Sequence, residues 1–391
     1  MVHVEPEGFR PVFDDPNSPE CSDLLPICPG YQVDASLTLG DLPTVTEANH
    51  EFGPVLEIWE GWATDSDLRF RASSGGILSA LSLFCLESEN FAGVVHSGMD
   101  ASKPWMNSNY VSRDRLGILA RTGSRYAPSA PCAGLSGINN DSGSYVFIGK
   151  PCDVSAVAEL RRLDPRLDQR LGLVLTFFCA GAPSSLGTLN LIDSLGADRR
   201  CVDEVHYRGT GWPGRFRIVS NGKDYPKSFS YEESWGKLTS YRPLRCNLCP
   251  DGLGRLADIA CGDAWNQFKD DEDPGRSLVL VRTERGRRML DAARRAGYVT
   301  LKRVTANSVL EAQQNLLNRR RELFGRLSAF RAFAVPVPSY VGFSLLNGWT
   351  HQLRFRRKLQ SFAGTVWRIA KRGWFNTRPI WSAQKAEAAR V

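Results

Sequence analysis

Residues 144–181 read SYVFIGKPCDVSAVAELRRLDPRLDQRLGLVLTFFCAG. Two apolar runs rich in strand formers, SYVFIG at 144–149 and LGLVLTFFCAG at 171–181, enclose a segment from Val154 whose apolar residues recur at helical spacing. The stretch that follows, SSLGTLNLIDSLG, is helical again. Strand, helix, strand, helix predicts a parallel βαβ unit. Each apolar run leads at once to a cysteine, Cys152 in GKPCD and Cys179 in FFCAGAP. If the two strands are neighbours, about 5 Å apart, both thiols stand at the carboxyl edge of a parallel sheet, where open α/β folds place ligands.

A second pair of thiols lies in RCNLCPDGLGRLADIACGDAW, residues 245–265, where Cys246 and Cys249 form a CxxC loop. Four thiolates from three chain segments are the usual ligand set of a cubane iron–sulfur cluster or of a structural zinc. Structural zinc sites more often use two close-spaced pairs, whereas here only one pair is close, so the spacing favours a cluster with zinc as the competitor. A thioredoxin-like pair would open a helix beside a strand. Pro250, Gly252 and Gly254 argue against a helix there.

Composition bounds the rest. A chain of 391 residues has room for two domains, since single domains commonly run to about 100–200 residues. The opening MVHVEPEGFRPVFDD is acidic and lacks the apolar core of a signal peptide. No run approaches the roughly 18 apolar residues of a membrane-spanning helix. These features predict an intracellular, cytoplasmic protein, in which ten cysteines are metal ligands or redox groups rather than disulfides. The net charge of +7 is localised: residues 351–391 hold ten Lys and Arg against one Glu, and the rest of the chain is slightly acidic. That distribution predicts a local docking surface and no nucleic-acid groove.

Four segments follow along the chain. Residues 1–50, rich in Pro, Asp, Glu and Ser, read as an extended arm that carries Cys21 and Cys28. Residues 51–135 read as a smaller α/β N-terminal domain around the helix start RASSGGILSALSLFCLES. Residues 136–305 form the main domain, a mixed sheet with βαβ units, and 306–391 a helical basic tail. The expected fold class is therefore α/β. Ser73, Ser74, Gly75 and Gly76 precede a buried helix of Ile77, Leu78, Leu81, Phe84 and Cys85. Such a start either is an ordinary capped helix or binds a phosphate, because glycine permits close approach and the helix N-terminus presents free N–H groups.

The ordered set SSGGILSAL, GSRYAPS, GKPCDVSAV, FFCAGAPSSLGT, YRGTGWPG, RCNLCPDGLGRLADIACGDAW and SLVLVRTERGRRML resembles the beta-subunit family of coenzyme F420 hydrogenases and dehydrogenases over roughly residues 55–300. The resemblance implies a flavoprotein with FAD and at least one 4Fe-4S cluster. Such a protein passes electrons from ferredoxin or another carrier subunit to a two-electron acceptor, a deazaflavin coenzyme or another conjugated heteroaromatic molecule. It implies Cys152, Cys179, Cys246 and Cys249 as the cluster ligands, and Ser73, Ser74, Gly75 and Gly76 near the flavin. Within GSRYAPS, Ser124, Arg125 and Tyr126 match a segment that in relatives carries Lys and Gln, where Arg keeps the positive charge and can still pair with a phosphate. Asp263 in ACGDAW either positions a flavin ribose or ties its loop through backbone hydrogen bonds.

Relatives often carry a ferredoxin-like insert with four closely spaced cysteines, where this arm keeps only Cys21 and Cys28. One cluster is expected, and a second stays open. No side chain stands out as a general acid or base, which is compatible with cofactor chemistry. In the tail Trp367, Trp374 and Trp381 recur every seven residues among Arg and Lys. That pattern suits peripheral contact with an anionic membrane, a dock for an acidic carrier, or packing on the body. A metal-stabilised accessory protein without catalysis, acting beside a glycan-assembly or electron-transfer complex, is the alternative class.

Overall fold

The computed structural model describes residues 2–4, 8–11, 23–36, 44–138, 141–268 and 273–375. Its centre is an eight-stranded sheet. The strands are β1 (Glu57–Ala63), β2 (Gly93–Met99), β3 (Asn107–Ser112), β4 (Tyr145–Gly149), β5 (Leu171–Phe177), β6 (Ile259–Asp263), β7 (Ser277–Val281) and β8 (Val299–Arg303). Their spatial order is β8-β1-β7-β6-β5-β4-β2-β3. The four central strands β2, β4, β5 and β6 run parallel. Antiparallel strands extend both edges. The α/β mixed sheet expected from the sequence is present.

Both faces of the sheet are covered, which explains why β4 and β5 read as unbroken apolar runs. Val146, Leu173 and Leu175 pack against α1 (Ile77–Ser88) on one face. Tyr145, Phe147 and Val174 face the other way, onto Val154 and Val157 of α2 (Pro151–Leu163). Each fully buried side chain of this size contributes about 1.5–3 kcal/mol. The helix α2 begins at Pro151, three residues before the Val154 at which helical spacing becomes readable. Proline at the first helical position has no N–H to leave unsatisfied, and Asp153 accepts the backbone N–H of Lys150 at 2.9 Å. Cys152 thereby sits in the first turn of the helix.

Strands from residues 51–135 and from 136–305 interleave in this one sheet: β1 lies between β7 and β8. The boundary drawn at 135 from the sequence does not separate two sheets. Residues 202–230 add a small antiparallel sheet with its own core of Val205, Phe216 and Ile218 under Leu191 and Leu238.

The arm and the tail meet. Gln32–Asp34 pairs in parallel with Ser339–Val341, and the tail helices close over the CxxC loop through Leu248, Leu323, Leu327 and Phe330. Cys28 is exposed, whereas Cys21 lies outside the described residues. Trp367 and Trp374 do not share one surface. Trp374 stacks on Phe330 at 5.7 Å, Trp367 is exposed, and Trp381 lies outside the described residues. Among the described residues no helix is long and apolar enough to cross a membrane.

Candidate functional site

The four sequence-predicted thiols come together at the carboxyl edge of the parallel strands. β4 and β5 are neighbours in parallel register, Gly149 opposite Thr176, so Cys152 and Cys179 leave the sheet side by side. The backbone N–H of Cys179 donates to the Gly252 carbonyl at 2.8 Å, which ties the end of β5 to the CxxC loop. Arg319 donates to the carbonyls of Ala180 and Cys246, at 2.5 and 2.8 Å, and Arg242 reaches Ala180 as well. Cys246 lies in the last turn of the short helix Leu244–Asn247, so this CxxC closes a helix rather than opening one. That geometry removes the thioredoxin-like option.

The thiols of Cys152, Cys179 and Cys249 are held above the ordinary cysteine range, first by burial and then by negative charge, that of Asp153 for Cys152 and that of Cys152 for Cys179 and Cys249. For Cys179 the result is about 12. Cys246 enters the same set through its influence on Cys152 and Cys179. Two cations stand beside the thiols. Arg245 points Nη2 at Cys152 Sγ, 3.6 Å away, and Lys150 feels both Asp153 and Cys152. Among the described residues no three His, Cys, Asp or Glu side chains lie close enough to grip a single metal ion, as a zinc tetrahedron with ligands about 3.8 Å apart requires. Four thiols from three chain segments are the donor set of an iron–sulfur cluster.

Beside the thiols lies a cavity of ≈ 350 Å³, at the carboxyl ends of β2, β4, β5 and β6. One end is polar. Ser73, Ser74, Ser79, Ser124 and Arg121 line it with the first turn of α1. That turn starts from Gly76 in the left-handed region, φ 77°, and no side chain caps it, so its amide dipoles face the cavity uncompensated and favour an anion. Ser124 donates its N–H to Ser73 Oγ at 2.5 Å, and Ser74 Oγ donates to the Arg276 carbonyl at 2.8 Å. Gly75 answers a packing need. A Cβ there would stand 2.5 Å from the Gly61 carbonyl oxygen and 2.8 Å from the Ser277 nitrogen.

The other end is aromatic, walled by Tyr126, Tyr231, Trp235 and Trp265. Trp265 stacks on Tyr231 at 5.2 Å, and Tyr126 meets Trp235 at 4.8 Å. Cys179 lines the same cavity.

The two predicted charged residues, Arg125 and Asp263, are also engaged by the protein. Arg125 donates to Asn107 Oδ1 at 2.9 Å and to the carbonyls of Val205, Pro104 and Met106, so its guanidinium braces the cavity wall. Asp263 takes a two-point ion pair from Arg208 and the indole N–H of Trp212 at 2.7 Å, while its carbonyl accepts from Gln313. Its carboxylate partners are the Arg208 and Trp212 side chains, not the loop's backbone N–H groups.

Sequence reasoning passed over Arg121, Lys150, Arg208, Tyr231 and Trp265. Arg208 and Lys150 sit inside the motifs YRGTGWPG and GKPCDVSAV, and the motif was the available signal. Arg121 had none. Its Nε is buried without a hydrogen-bond partner among the described residues.

Comparison with known proteins agrees with this architecture. Residues 58–135 match the N-terminal region of the family described as coenzyme F420 hydrogenase/dehydrogenase, beta subunit, and residues 143–307 match the C-terminal region of the same family. The chain is 24% identical over 287 residues to the coenzyme F420 hydrogenase subunit beta of Methanococcus voltae, covering 71% of this chain and 95% of that one. It is 26% identical over 257 residues to the F420-dependent formate dehydrogenase subunit beta of Methanocaldococcus jannaschii, covering 63% of this chain and 62% of the relative. A solved chain of the F420-reducing [NiFe] hydrogenase complex from Methanosarcina barkeri superposes with a TM-score of 0.58 at 20% identity, over 73% of this chain and 97% of its own. That likeness shows a common fold. With both matched regions in sequence order and together spanning more than half of its length, the chain belongs to the coenzyme F420 hydrogenase/dehydrogenase beta-subunit family.

Proposed function

We propose that this chain is an iron–sulfur flavoprotein oxidoreductase. It takes electrons from ferredoxin or a partner subunit and delivers them to a two-electron acceptor, a deazaflavin coenzyme or another conjugated heteroaromatic molecule. The observation that carries the reading is a shared wall: Cys179 borders the same cavity as the uncapped first turn of α1. In this reading Cys152, Cys179, Cys246 and Cys249 hold a 4Fe-4S cluster, and Ser73, Ser74, Gly75, Gly76, Ser124 and Tyr126 border an FAD whose phosphates take the helix N-terminus. Together these groups supply the exchange between one-electron and two-electron traffic.

The chain's own residues position and screen. Lys150 and Arg245 set positive charge beside the thiolates, which lowers the cost of holding them ionised in a half-buried site. Tyr126, Tyr231, Trp235 and Trp265 offer flat faces on which a ring system stacks. Hydrogenase and formate dehydrogenase subunits similar to this chain are named for coenzyme F420, which supports a deazaflavin acceptor. The reading carries a cytoplasmic location, with the basic tail available for peripheral membrane contact.

The test is an absorbance spectrum of anaerobically purified protein with iron, sulfide and flavin quantified on the same sample. A broad band near about 400 nm with about four irons and about one FAD per chain is the expected result. About eight irons would place a second cluster at the arm. A colourless protein that takes up zinc and no flavin would make the CxxC loop structural and leave the chain as a non-catalytic accessory.

A further inference from the structure

Helix α4 (Phe355–Arg372) buries one face, Ser361, Thr365 and Ile369, on helix α3 (Leu323–Ala332). Trp349 donates its indole N–H to Ser361 Oγ at 3.0 Å, which fixes the rotation of α4 about its axis. Immediately beside that face runs a second apolar row that the protein leaves open. Phe355 is 77% exposed, Leu359 58% and Phe362 36%. Steps of four and three place them on one line along the helix, and the exposed Ala363 and Ala370 extend it. Trp367, 60% exposed, stands at the margin with Lys371 Nζ 4.6 Å from its ring.

The charge around this row has one sign. Between Arg354 and Phe375 there are seven Lys and Arg and no Asp or Glu. Arg354, Arg356 and Lys371 are exposed and pair with no carboxylate among the described residues; Arg357 alone of the exposed set reaches one, Glu322 at 3.3 Å. A row of large apolar side chains left in water needs a cover. A helix with Phe, Leu and Trp on one side and only cations around them meets that need at a bilayer interface, where acyl chains take the apolar row and anionic headgroups the Lys and Arg.

We infer that α4 lies in the plane of an anionic membrane surface. Phe355, Leu359 and Phe362 dip below the headgroups, and Arg354, Arg356 and Lys371 contact them. This surface is independent of the redox reading, since none of its residues borders the cavity.

The experiment is co-sedimentation of the full chain with vesicles of phosphatidylcholine alone and of phosphatidylcholine with about one part in four phosphatidylglycerol. The expected result is binding to the anionic vesicles only, weakened at about 0.5 M NaCl. Phe355→Ser with Leu359→Ser, which changes no charge, should lower binding about tenfold while the circular dichroism and melting temperature stay at wild-type values. Equal binding of that variant, or no binding of the wild type, overturns the inference. So does a homodimer in light scattering that the variant dissolves, which would make a second copy the cover. Capture by an immobilised acidic carrier protein without vesicle binding would assign the face to a protein partner and likewise overturn it.

Discussion

Arg208 lays its guanidinium on the Asp263 carboxylate in two parallel hydrogen bonds, 2.9 and 2.7 Å long. Arg208 is 5% exposed and belongs to the loop after Val202–His206, whereas Asp263 closes β6. The pair therefore fastens the small antiparallel sheet to the cavity edge of the large one. Burial lowers and Asp263 raises the basicity of Arg208, and the ion pair wins.

Removing the acid leaves that cation buried alone. Asp263→Ala should cost about 3–5 kcal/mol of stability, the usual penalty for breaking a buried pair from one side. Chemical denaturation of the variant checks it. A loss below about 1 kcal/mol would mean that water reaches the pair freely.

The four thiols act as one set in the proposed function, so losing any one should matter equally. Cys249→Ser is expected to remove the absorbance and the iron of the anaerobic protein while Cys85→Ser, in the core of α1, leaves both in place. Full iron content in Cys249→Ser would take this residue out of the ligand set.

His96 predicts a pH dependence of folding. It lies in the cavity wall with Nε2 at 2.8 Å from Ser112 Oγ, and its pKa is lowered from 6.5 to about 4, first by burial and then by the charge of Arg121. The unfolded imidazole takes a proton near 6.5 and the folded one does not until about 4. Between those values the unfolded state binds more protons, so stability present above pH 6.5 falls as the pH drops toward 4. The loss attributable to this group is on the order of 3 kcal/mol. His96→Gln should flatten that part of the stability curve, and an unchanged slope would assign it to other groups.

Arg121 and the first turn of α1 border one polar end of the cavity. Arg121→Gln should weaken flavin binding about tenfold, the worth of one charge-assisted hydrogen bond. Fluorescence titration of flavin-depleted protein reads this directly. An unchanged dissociation constant would move the phosphate site away from Arg121.

Gly75→Ala tests packing apart from ligand binding. The added methyl meets backbone atoms of Gly61 and Ser277 at 2.5 and 2.8 Å, neither of which can turn aside. A loss of about 1–3 kcal/mol in denaturation without flavin is expected. Normal stability together with lost flavin would show that the glycine serves the ligand instead.

Much of this protein was legible in its sequence because the relevant physics is local. Burial on two covered faces makes β4 and β5 continuous apolar runs. A strand that ends at Gly149 and a helix that opens on Pro151 put Cys152 at the sheet edge without any long-range information. The same holds for Cys179 after β5, and for the CxxC loop, whose glycines and proline exclude a long helix. Charge counted along the chain also located the basic tail correctly, because charge is a property of composition.

What the tertiary structure alone decided is which side chains are already taken. Arg125 reads as a partner for a phosphate and Asp263 as either a ribose ligand or a loop tie, and carbonyls far away in sequence take the first and Arg208 the second; no local pattern records a partner 55 residues distant. The heptad of tryptophans does not say which indole is covered; Phe330 captures Trp374, and Phe355, Leu359 and Phe362 are the open row. The strand β1 from the N-terminal half sits between two strands of the C-terminal half, since register and strand order are set by pairing across the whole sheet. Periodicity tells which face of an element is apolar, and only packing tells what covers it.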